Sequence, residues 1–232
     1  MKYDGELIQA KFKERPNRFL GVVELKGKAT QCFIPNPGRM KELMIPDTKV
    51  YLVEKKGLHR KTDYDMKLVE KEGKLISVDS RLPNKIFAEA IMENKLEPFK
   101  EYSVTRAEPT FMESRLDFML EKQDEQALIE CKSCNLVEEE TALFPDAPTK
   151  RGTRHMNTLV MALTLGRAGV VFIVQRDDAE IFRPFKERDP RFAGAIEKAV
   201  YEGVEIYAYK CKVDLQEIRI KDSIPVVLGK KD

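Results

Sequence analysis

The sequence predicts a two-domain protein of the α/β (α+β) class, with a small N-terminal β-barrel at residues 1–82 and a mixed-sheet α/β domain at residues 83–232. The first region holds five short runs rich in β-branched and aromatic residues, with turn residues between them. The second alternates stretches of helical spacing with strands, and its residues 170–174 form a continuous apolar run. Such a run is typical of a strand that is buried on both faces of its sheet.

The barrel strands are predicted at residues 19–25, 30–34, 50–54, 66–70 and 75–78. Glycine and proline residues separate these runs and supply the turns. Five strands in about 80 residues fit the OB fold, a small five-stranded barrel. Strand number alone also permits an SH3-like barrel.

The second domain is predicted to begin with a helix at Pro83, for which Asn84 is a suitable N-cap. A strand near residues 102–107, a hairpin and a helix at residues 151–165 follow. After the buried strand, Asp189 and Pro190 start another helix, and a strand at residues 204–210 closes the domain.

The hairpin carries the most informative residues of the chain. Two short apolar segments, one with Asp117 and one with Glu130, are joined by a short polar connection. An even-numbered loop sets Asp117 opposite Glu130 on one face of the sheet, with Lys132 two residues further along that face. The opposite face is then predicted to carry the apolar residues Leu116, Phe118, Leu120, Ile129 and Cys131.

This arrangement predicts a divalent metal site. Like charges opposed on a sheet are destabilising, so the acid pair requires a cation between its members. Mg²⁺ or Mn²⁺ would suit carboxylate oxygens, and Lys132 would stabilise an attacking hydroxide or the phosphoryl group. The spacing fits an ordinary half-solvated hairpin as well, with a surface salt bridge between Glu130 and Lys132.

Three further polar residues are candidates for the same site. Glu89 would add a carboxylate to the metal from the first helix, or would be a solvated helical glutamate. Asp146 would be an outer-shell ligand or an acid that stabilises its loop. Gln175 ends the buried strand, where side chains often reach a ligand.

A helix start supplies candidates for phosphate and DNA binding. Arg151, Arg154, His155 and Thr158 share one helical face, and Lys150 lies beside them. Backbone N–H groups and the dipole at a helix N-terminus favour anions. A solvated polar face is the alternative.

The barrel offers a second candidate surface for DNA. Arg18, Phe19 and Arg39 belong to a basic, partly aromatic set of residues, and OB folds bind nucleic acid through stacking and backbone charge. With 41 lysine and arginine residues in the chain, scattered surface charge is the alternative.

These motifs resemble known families. Asp117 followed by Glu130-Cys131-Lys132 at the end of an apolar strand resembles the PD-(D/E)xK motif of the restriction-endonuclease-like fold. Nearly the whole chain also resembles the sugar fermentation stimulation protein A (SfsA) family. The segments that carry this second resemblance are Arg18-Phe19-Leu20, Pro35-Asn36-Pro37-Gly38-Arg39-Met40, Leu82-Pro83-Asn84, Ser114-Arg115-Leu116-Asp117-Phe118, Ala142-Leu143-Phe144-Pro145-Asp146-Ala147 and Arg151-Gly152-Thr153-Arg154-His155.

The resemblance implies an N-terminal OB-like domain, a C-terminal restriction-endonuclease-like domain, and largely sequence-non-specific binding of double-stranded DNA with a regulatory link to sugar metabolism. Possible phosphodiester hydrolysis follows from the nuclease motif. The alternatives are a non-catalytic DNA-binding regulatory protein that keeps the nuclease fold, and an RNA-processing enzyme. The family's Asn-Thr-Gly-Ser-Met turn reads Asn36-Pro37-Gly38-Arg39-Met40 here, which removes two hydroxyls and adds the charge of Arg39.

Composition bounds the remaining possibilities. The net charge of +2 does not by itself indicate a nucleic-acid binder, so any DNA surface must come from segregated charge. The chain has no apolar run long enough to span a membrane and no signal-peptide core, so we expect a cytoplasmic protein with reduced thiols. Cys131 and Cys134 form a lone Cys-x-x-Cys pair, for which a zinc or redox site and a buried Cys131 are the two interpretations.

Overall fold

The computed structural model describes residues 1–229 and contains a β-barrel followed by a mixed-sheet α/β domain. The predicted fold class is therefore confirmed. The barrel strands are β1 (Leu7–Asn17), β2 (Leu20–Leu25), β3 (Lys28–Phe33), β4 (Lys49–Glu54), β5 (Tyr64–Lys71) and β6 (Lys74–Ser77). They lie in the order β3-β2-β1-β4-β5-β6, and a bridge between Phe33 of β3 and Asp65 of β5 closes the barrel.

The barrel has one strand more than the sequence analysis predicts. The missing strand is β1, which pairs with both β2 and β4. It buries Ala10 and Phe12 on the inner side and carries charged residues such as Lys11 on the outer side. Because its second half is charged and contains Pro16, its apolar alternation is too short to be recognised as a strand.

The second domain is built around a six-stranded sheet with helices on both faces. Its helices are α1 (Pro83–Met92), α2 (Lys150–Ala162) and α3 (Pro190–Tyr201), with a 3-10 turn at Glu97–Phe99. Its strands are β7 (Ser103–Ala107), β8 (Thr110–Phe111), β9 (Ser114–Arg115), β10 (Phe118–Lys122), β11 (Glu125–Cys134), β12 (Val137–Glu138), β13 (Thr141–Phe144), β14 (Arg167–Val174), β15 (Ile181–Pro184), β16 (Glu205–Val213) and β17 (Ile218–Ile224).

The main sheet has the order β17-β16-β14-β11-β10-β7, in which β11, β14 and β16 are parallel and the outer pairs are antiparallel. The buried strand predicted at residues 170–174 is β14, between β11 and β16. The prediction that a strand at residues 204–210 closes the domain is wrong, because β17 follows it and forms the sheet edge. The predicted loop before residue 148 also contains the short strands β12 and β13.

The helices divide the core of this domain into two layers. Phe87 of α1 packs on one face of the sheet, while Met156 of α2 and Phe192 of α3 pack on the other. Asp189 caps α3 by accepting from the N–H of Phe192, as its position before Pro190 predicts. None of the helices in residues 1–229 is long and apolar enough to cross a membrane.

A buried hydrogen-bond network joins the two domains. Asn36 of the barrel donates to Asn135 Oδ1 at 3.2 Å, and Asn135 donates in turn to the carbonyl oxygen of Ser77. The Ser77 hydroxyl donates to Gln175 Oε1 at 3.0 Å. Since these side chains are almost fully buried, the hydrogen bonds that cross between the domains hold the barrel in a fixed position on the sheet.

The barrel also contains a buried cluster of opposite charges next to the junction. Lys67 Nζ lies 2.9 Å from Asp79 Oδ2, and Arg81 Nη2 lies 2.6 Å from Asp79 Oδ2 and 2.9 Å from Asp65 Oδ2. Burial raises the pKa of Asp79, but Arg81 and Lys67 outweigh this effect and bring the pKa below its ordinary value. This acid pair is therefore neutralised by the protein's own cations.

Candidate metal and nucleic-acid site

The hairpin of β10 and β11 has the predicted register. Phe118 pairs with Ile129, and Gln123 and Asp124 form the connection between the two strands. The α1 side of the sheet carries Phe118, Leu120, Ile129 and Cys131, as predicted. Leu116 is an exception, since it packs in the core on the α2 side. The chain bends at Asp117 before β10 begins, so the strand alternation does not extend back to residue 116.

This bend places the Asp117 carboxylate where neutral donors reach it. Oδ2 accepts a hydrogen bond from the backbone N–H of Cys131 at 2.8 Å, and Oδ1 accepts from the Asn84 side chain at 2.7 Å. Burial and the negative charge of Glu130 raise the pKa of Asp117. The hydrogen bonds and the more distant charge of Lys132 offset only part of this effect.

Glu130 lies inside the domain, with a relative exposure of 3%. Its Oε1 contacts both Lys132 Nζ and His155 Nδ1. Burial raises the pKa of this carboxylate, but the hydrogen bond with His155 and the charge of Lys132 bring it below its ordinary value. Glu130 Oε2 is buried and has no hydrogen-bond partner among residues 1–229.

His155 connects Glu130 to the start of α2. Its Nε2 accepts a hydrogen bond from Arg151 Nε at 3.3 Å, which leaves Nδ1 to donate to Glu130. The predicted polar face of α2 is thus divided. His155 and Thr158 are buried, and the Thr158 hydroxyl lies 2.8 Å from that of Ser114. The exposed side chains at the start of α2 are those of Lys150, Arg151 and Arg154.

The prediction that Asn84 caps α1 is wrong. The N-cap position is Leu82, which makes no side-chain cap bond, and Pro83 occupies the first turn. The amide of Asn84 is directed instead to Asp117. Sequence analysis did not identify Asn84 as a site residue, because its contact with Asp117 depends on how α1 packs against the hairpin.

Glu89 does not join the two acids. Its Oε2 lies 2.6 Å from the N-terminal ammonium of Met1, and its side chain is 41% exposed. Among residues 1–229, no three histidine, cysteine, aspartate or glutamate side chains come together in a group that could hold a metal ion. In this part of the chain, the candidate site therefore holds a pair of carboxylates, Asp117 and Glu130, and not a group of three.

Asp146 and Gln175 lie at the domain junction. Asp146 Oδ2 accepts from the backbone N–H of Met40 in the barrel at 2.8 Å, and Arg188 bonds to its carbonyl oxygen at 2.7 Å. Gln175 donates to Ser133 Oγ at 2.8 Å and is fully buried. In the structure both side chains connect the domains.

A cleft of about 910 Å³ lies between the barrel and the second domain. Four cationic side chains line its barrel wall, namely Arg15, Arg18, Arg39 and Lys41. The opposite wall includes Ser133 on β11 and Thr149, which caps α2 by accepting from the N–H of Gly152. The two barrel arginines predicted to contact DNA are thus on one surface, next to the elements that carry Lys132 and His155.

The two thiols of the Cys-x-x-Cys pair lie on opposite faces of the sheet. Cys131 packs on the α1 side and Cys134 on the α2 side, and both are buried free thiols. Burial raises the pKa of Cys131 well above its ordinary value. The prediction of a buried Cys131 on the apolar side of the hairpin is consistent with these positions.

The two carboxylates fit a hard divalent cation. Asp117 and Glu130 carry oxygen donors, which Mg²⁺ and Mn²⁺ prefer, and Asp117 Oδ2 accepts from the N–H of Cys131, the residue after Glu130. The unpartnered Glu130 Oε2 is a free oxygen ligand inside the fold. A cation between the two acids would relieve the repulsion through which Glu130 raises the pKa of Asp117.

Comparisons with known proteins cover both domains. The family profile described as "Sugar fermentation stimulation protein RE domain" matches residues 81–217, and that described as "SfsA N-terminal OB domain" matches residues 14–78. A "Sugar fermentation stimulation protein homolog" of Acetivibrio thermocellus is 42% identical over 232 residues, which cover 98% of this chain and 100% of the relative. A homolog of the same description from Moorella thermoacetica is 45% identical over 214 residues, or 90% of this chain and 92% of the relative.

A solved structure is similar over the same length. The structure of Pyrococcus furiosus SfsA in complex with Ca²⁺ superposes with a TM-score of 0.91 at 34% sequence identity, and the match covers 98% of each chain. The resemblance seen in the sequence motifs is confirmed by profiles, relatives and structure together. The protein belongs to the sugar fermentation stimulation protein (SfsA) family.

Proposed function

We propose that this protein binds DNA and holds Mg²⁺ or Mn²⁺ between Asp117 and Glu130 for phosphodiester hydrolysis. The observation that carries the proposal is the buried Glu130 Oε2 without a hydrogen-bond partner among residues 1–229, close to a second carboxylate whose pKa is raised. A buried charged oxygen without a donor destabilises a fold unless a ligand satisfies it. A cation between the two acids supplies that ligand.

The donor set supports a metal with a partly open coordination shell. Asp117 and Glu130 would each provide a carboxylate, and water and phosphate oxygens would complete the shell, as is common for Mg²⁺. When bound, the ion would lower the pKa of a water ligand and stabilise the negative charge that develops at phosphorus. The Pyrococcus furiosus relative was solved in complex with Ca²⁺, which prefers the same kind of oxygen ligands.

The neighbouring side chains have distinct roles in this proposal. The ammonium group of Lys132 would position the attacking water and stabilise its negative charge, since the side chain is 12% exposed and held by Glu130. His155 is a positioning residue, because it fixes Glu130 Oε1 and leaves Oε2 free for the metal. Arg151 orients His155 through Nε2.

Segregated positive charge supports DNA as the substrate. Lys150, Arg151 and Arg154 are exposed at the start of α2, and Arg18 and Arg39 line the cleft between the domains. These side chains would contact phosphates, which dominate the affinity of proteins for DNA. That the DNA is double-stranded and bound without sequence specificity stays a prediction.

A cleavage assay tests hydrolysis directly. Plasmid DNA is incubated with the protein and Mn²⁺, and the products are compared with those of Asp117→Ala and of Asp124→Ala. Asp124 is a matched control, since it is an exposed acid in the turn of the same hairpin. We expect nicked and linear products from the wild type and Asp124→Ala only. Equal products from Asp117→Ala would end the hydrolysis proposal.

One observation favours a second function, that of a non-catalytic DNA-binding protein. Lys132 and His155 both contact Glu130 Oε1, so the charge of this carboxylate is balanced without a metal ion. In that case Lys132→Ala would leave DNA affinity unchanged, and affinity would fall steeply with salt concentration. Binding without cleavage in the presence of Mn²⁺ would support this function over the first.

A further inference from the structure

One guanidinium group organises the barrel rim of the interdomain cleft. Nη1 of Arg15 donates to the carbonyl oxygens of Gly38 and Arg39 at 2.8 and 2.6 Å. Nη2 donates to those of Arg18 and Asn36 at 2.6 and 2.8 Å. Because one side chain fixes four carbonyl groups from two separate loops, the backbone at Arg18 and at Arg39 is held along the same rim.

An aromatic pair on the barrel, with one exposed ring, lies beside residues that line this cleft. The ring of Phe19 is stacked on that of Phe33, with centroids 6.0 Å apart and an interplanar angle of 25°. Phe19 is nevertheless 43% exposed, and the guanidinium of Arg81 lies 5.7 Å from the centroid of Phe33. In the sequence, Phe19 directly follows Arg18, and Arg81 directly follows Ser80. Arg18 and Ser80 both line the cleft.

The other end of the cleft lies next to the candidate metal site. Ser133, a cleft residue, is adjacent on β11 to Lys132, which contacts Glu130. Thr149, also a cleft residue, caps the helix that carries His155. The cleft thus follows the barrel rim that carries Arg18 and Arg39, and its opposite wall is built by β11 and the start of α2, which also carry residues of the candidate site.

We propose that this cleft binds a single DNA strand, with a base stacked on Phe19 and phosphates beside Arg18 and Arg39. The inference rests on the DNA binding proposed above and specifies the form of the substrate. Bases within a duplex stack on each other, so only an unpaired base presents its face to Phe19. Stacking on aromatic side chains combined with a basic groove is the way in which single-stranded nucleic acids are bound without sequence preference.

The size of the cleft supports a single strand. A duplex about 20 Å wide with a rise of about 3.4 Å fills roughly 1,000 Å³ per base pair. The cleft of about 910 Å³ has about the volume of one such base pair, so a duplex would not enter it whole, whereas a short piece of one strand would fit. A duplex would touch the rim only through its phosphates.

Fluorescence anisotropy tests this proposal. The probes are a labelled DNA single strand of about 12 nucleotides, within the site size of OB folds, the corresponding blunt duplex and the RNA single strand. Binding is measured in EDTA, so that cleavage and metal binding at the acids do not affect the result. The variants are Phe19→Ala, Phe19→Leu and Tyr201→Ala, the last being a matched control with an 89% exposed ring on α3.

We expect wild-type protein and Tyr201→Ala to bind the DNA strand more tightly than the duplex. Phe19→Ala should bind the strand on the order of tenfold more weakly and the duplex unchanged, because a stacked base is lost. Phe19→Leu, which keeps the apolar contact with Phe33, should also lose strand affinity. Unchanged melting temperatures would show that the variants are folded.

Three results would overturn the inference. These are tighter binding of the duplex than of the strand, an equal effect of Phe19→Ala on both probes, and tighter binding of RNA than of DNA. In each case the protein still binds nucleic acid, and the metal site is tested separately by the cleavage assay with Mn²⁺. Failure to bind any of the probes would instead refute DNA binding itself.

Discussion

Two acid pairs, one in each domain, differ in what neutralises them. In the barrel, Asp65 and Asp79 share the guanidinium of Arg81, and Lys67 adds a second cation to Asp79. In the second domain, Asp117 receives its hydrogen bonds from uncharged donors only.

The pKa shifts of the two pairs reflect this difference. Arg81 and Lys67 bring the pKa of Asp79 below its ordinary value despite burial, whereas burial and Glu130 raise that of Asp117. In the barrel pair, both carboxylates have protein cations as partners. In the second pair, Lys132 and His155 contact Glu130 Oε1, but among residues 1–229 no cation pairs with Asp117 and no donor reaches Glu130 Oε2, which marks a place for an external cation.

The largest predicted effect concerns the barrel pair. Asp79→Asn leaves Lys67, which is 3% exposed, without its buried anionic partner, and only the exposed carboxylate of Asp4 remains, at 3.3 Å. Breaking a buried ion pair in this way lowers the free energy of unfolding by about 3–5 kcal/mol. Urea unfolding measures the change, with Asp47→Asn, which breaks an exposed pair with Lys13, as the control. Equal losses in the two variants would show that the barrel cluster does not stabilise the fold.

The second prediction concerns metal binding by the other pair. Mn²⁺ at about a hundred times its dissociation constant should raise the free energy of unfolding by about 2.7 kcal/mol, because it binds only the folded protein. Asp117→Asn should abolish most of this increment. Asp79→Asn, although destabilised, should keep it. Thermal unfolding with and without Mn²⁺ measures the increment. If Asp79→Asn alone lost the increment, the metal site would lie at the barrel pair and not at Asp117 and Glu130.

The third prediction is the pH dependence of this increment. Protons compete with Mn²⁺ for Asp117 below its raised pKa, so stabilisation by Mn²⁺ should decrease as the pH falls through that pKa. Each pH unit below it weakens binding about tenfold, or about 1.4 kcal/mol. Melting temperatures with Mn²⁺ over a range of acidic to neutral pH measure this, and an increment that is independent of pH would contradict the role of Asp117.

Without metal, the contributions of the two acids to the free energy of unfolding should change with pH in opposite directions. The raised pKa of Asp117 means that its contribution to stability is fully present below its unfolded pKa and is lost as the pH rises through the folded value. The lowered pKa of Glu130 means that its contribution is present above the unfolded pKa and is lost as the pH falls. Asp117→Asn in EDTA should therefore remove only the first of these effects.

The sequence predicts the local geometry of the hairpin but not the contacts that complete the site. Strand alternation and an even-numbered loop are enough to pair Phe118 with Ile129. The contact of His155 with Glu130 and that of Asn84 with Asp117 depend on how α2 and α1 pack on the two faces of the sheet. No local pattern specifies such packing.

The domain junction is hidden from sequence analysis for the same reason. Gln175 and Asp146 are polar residues near predicted strand ends, which suggests ligand binding. In the structure they bond to Ser77 and Met40 of the barrel, far away in the chain. The ends of strands can be predicted from the sequence, but the sequence does not show which of these ends are covered by another domain.

The smallest predicted effect concerns Glu89. Because its carboxylate pairs with the N-terminal ammonium of Met1 at a partly exposed position, Glu89→Gln should change the free energy of unfolding by less than about 1 kcal/mol. The affinity of the Glu89→Gln variant for Mn²⁺, measured by calorimetry, should equal that of the wild type. A clear loss of Mn²⁺ affinity would mean that Glu89 moves to join the two acids when the metal binds.

Anomalous scattering from a crystal soaked in Mn²⁺ compares the two acid pairs in a single measurement. We predict a peak between Asp117 and Glu130, within coordination distance of Glu130 Oε2, and none at Asp65 and Asp79. A crystal at saturating Mn²⁺ with no peak between Asp117 and Glu130 would contradict a metal site in this protein.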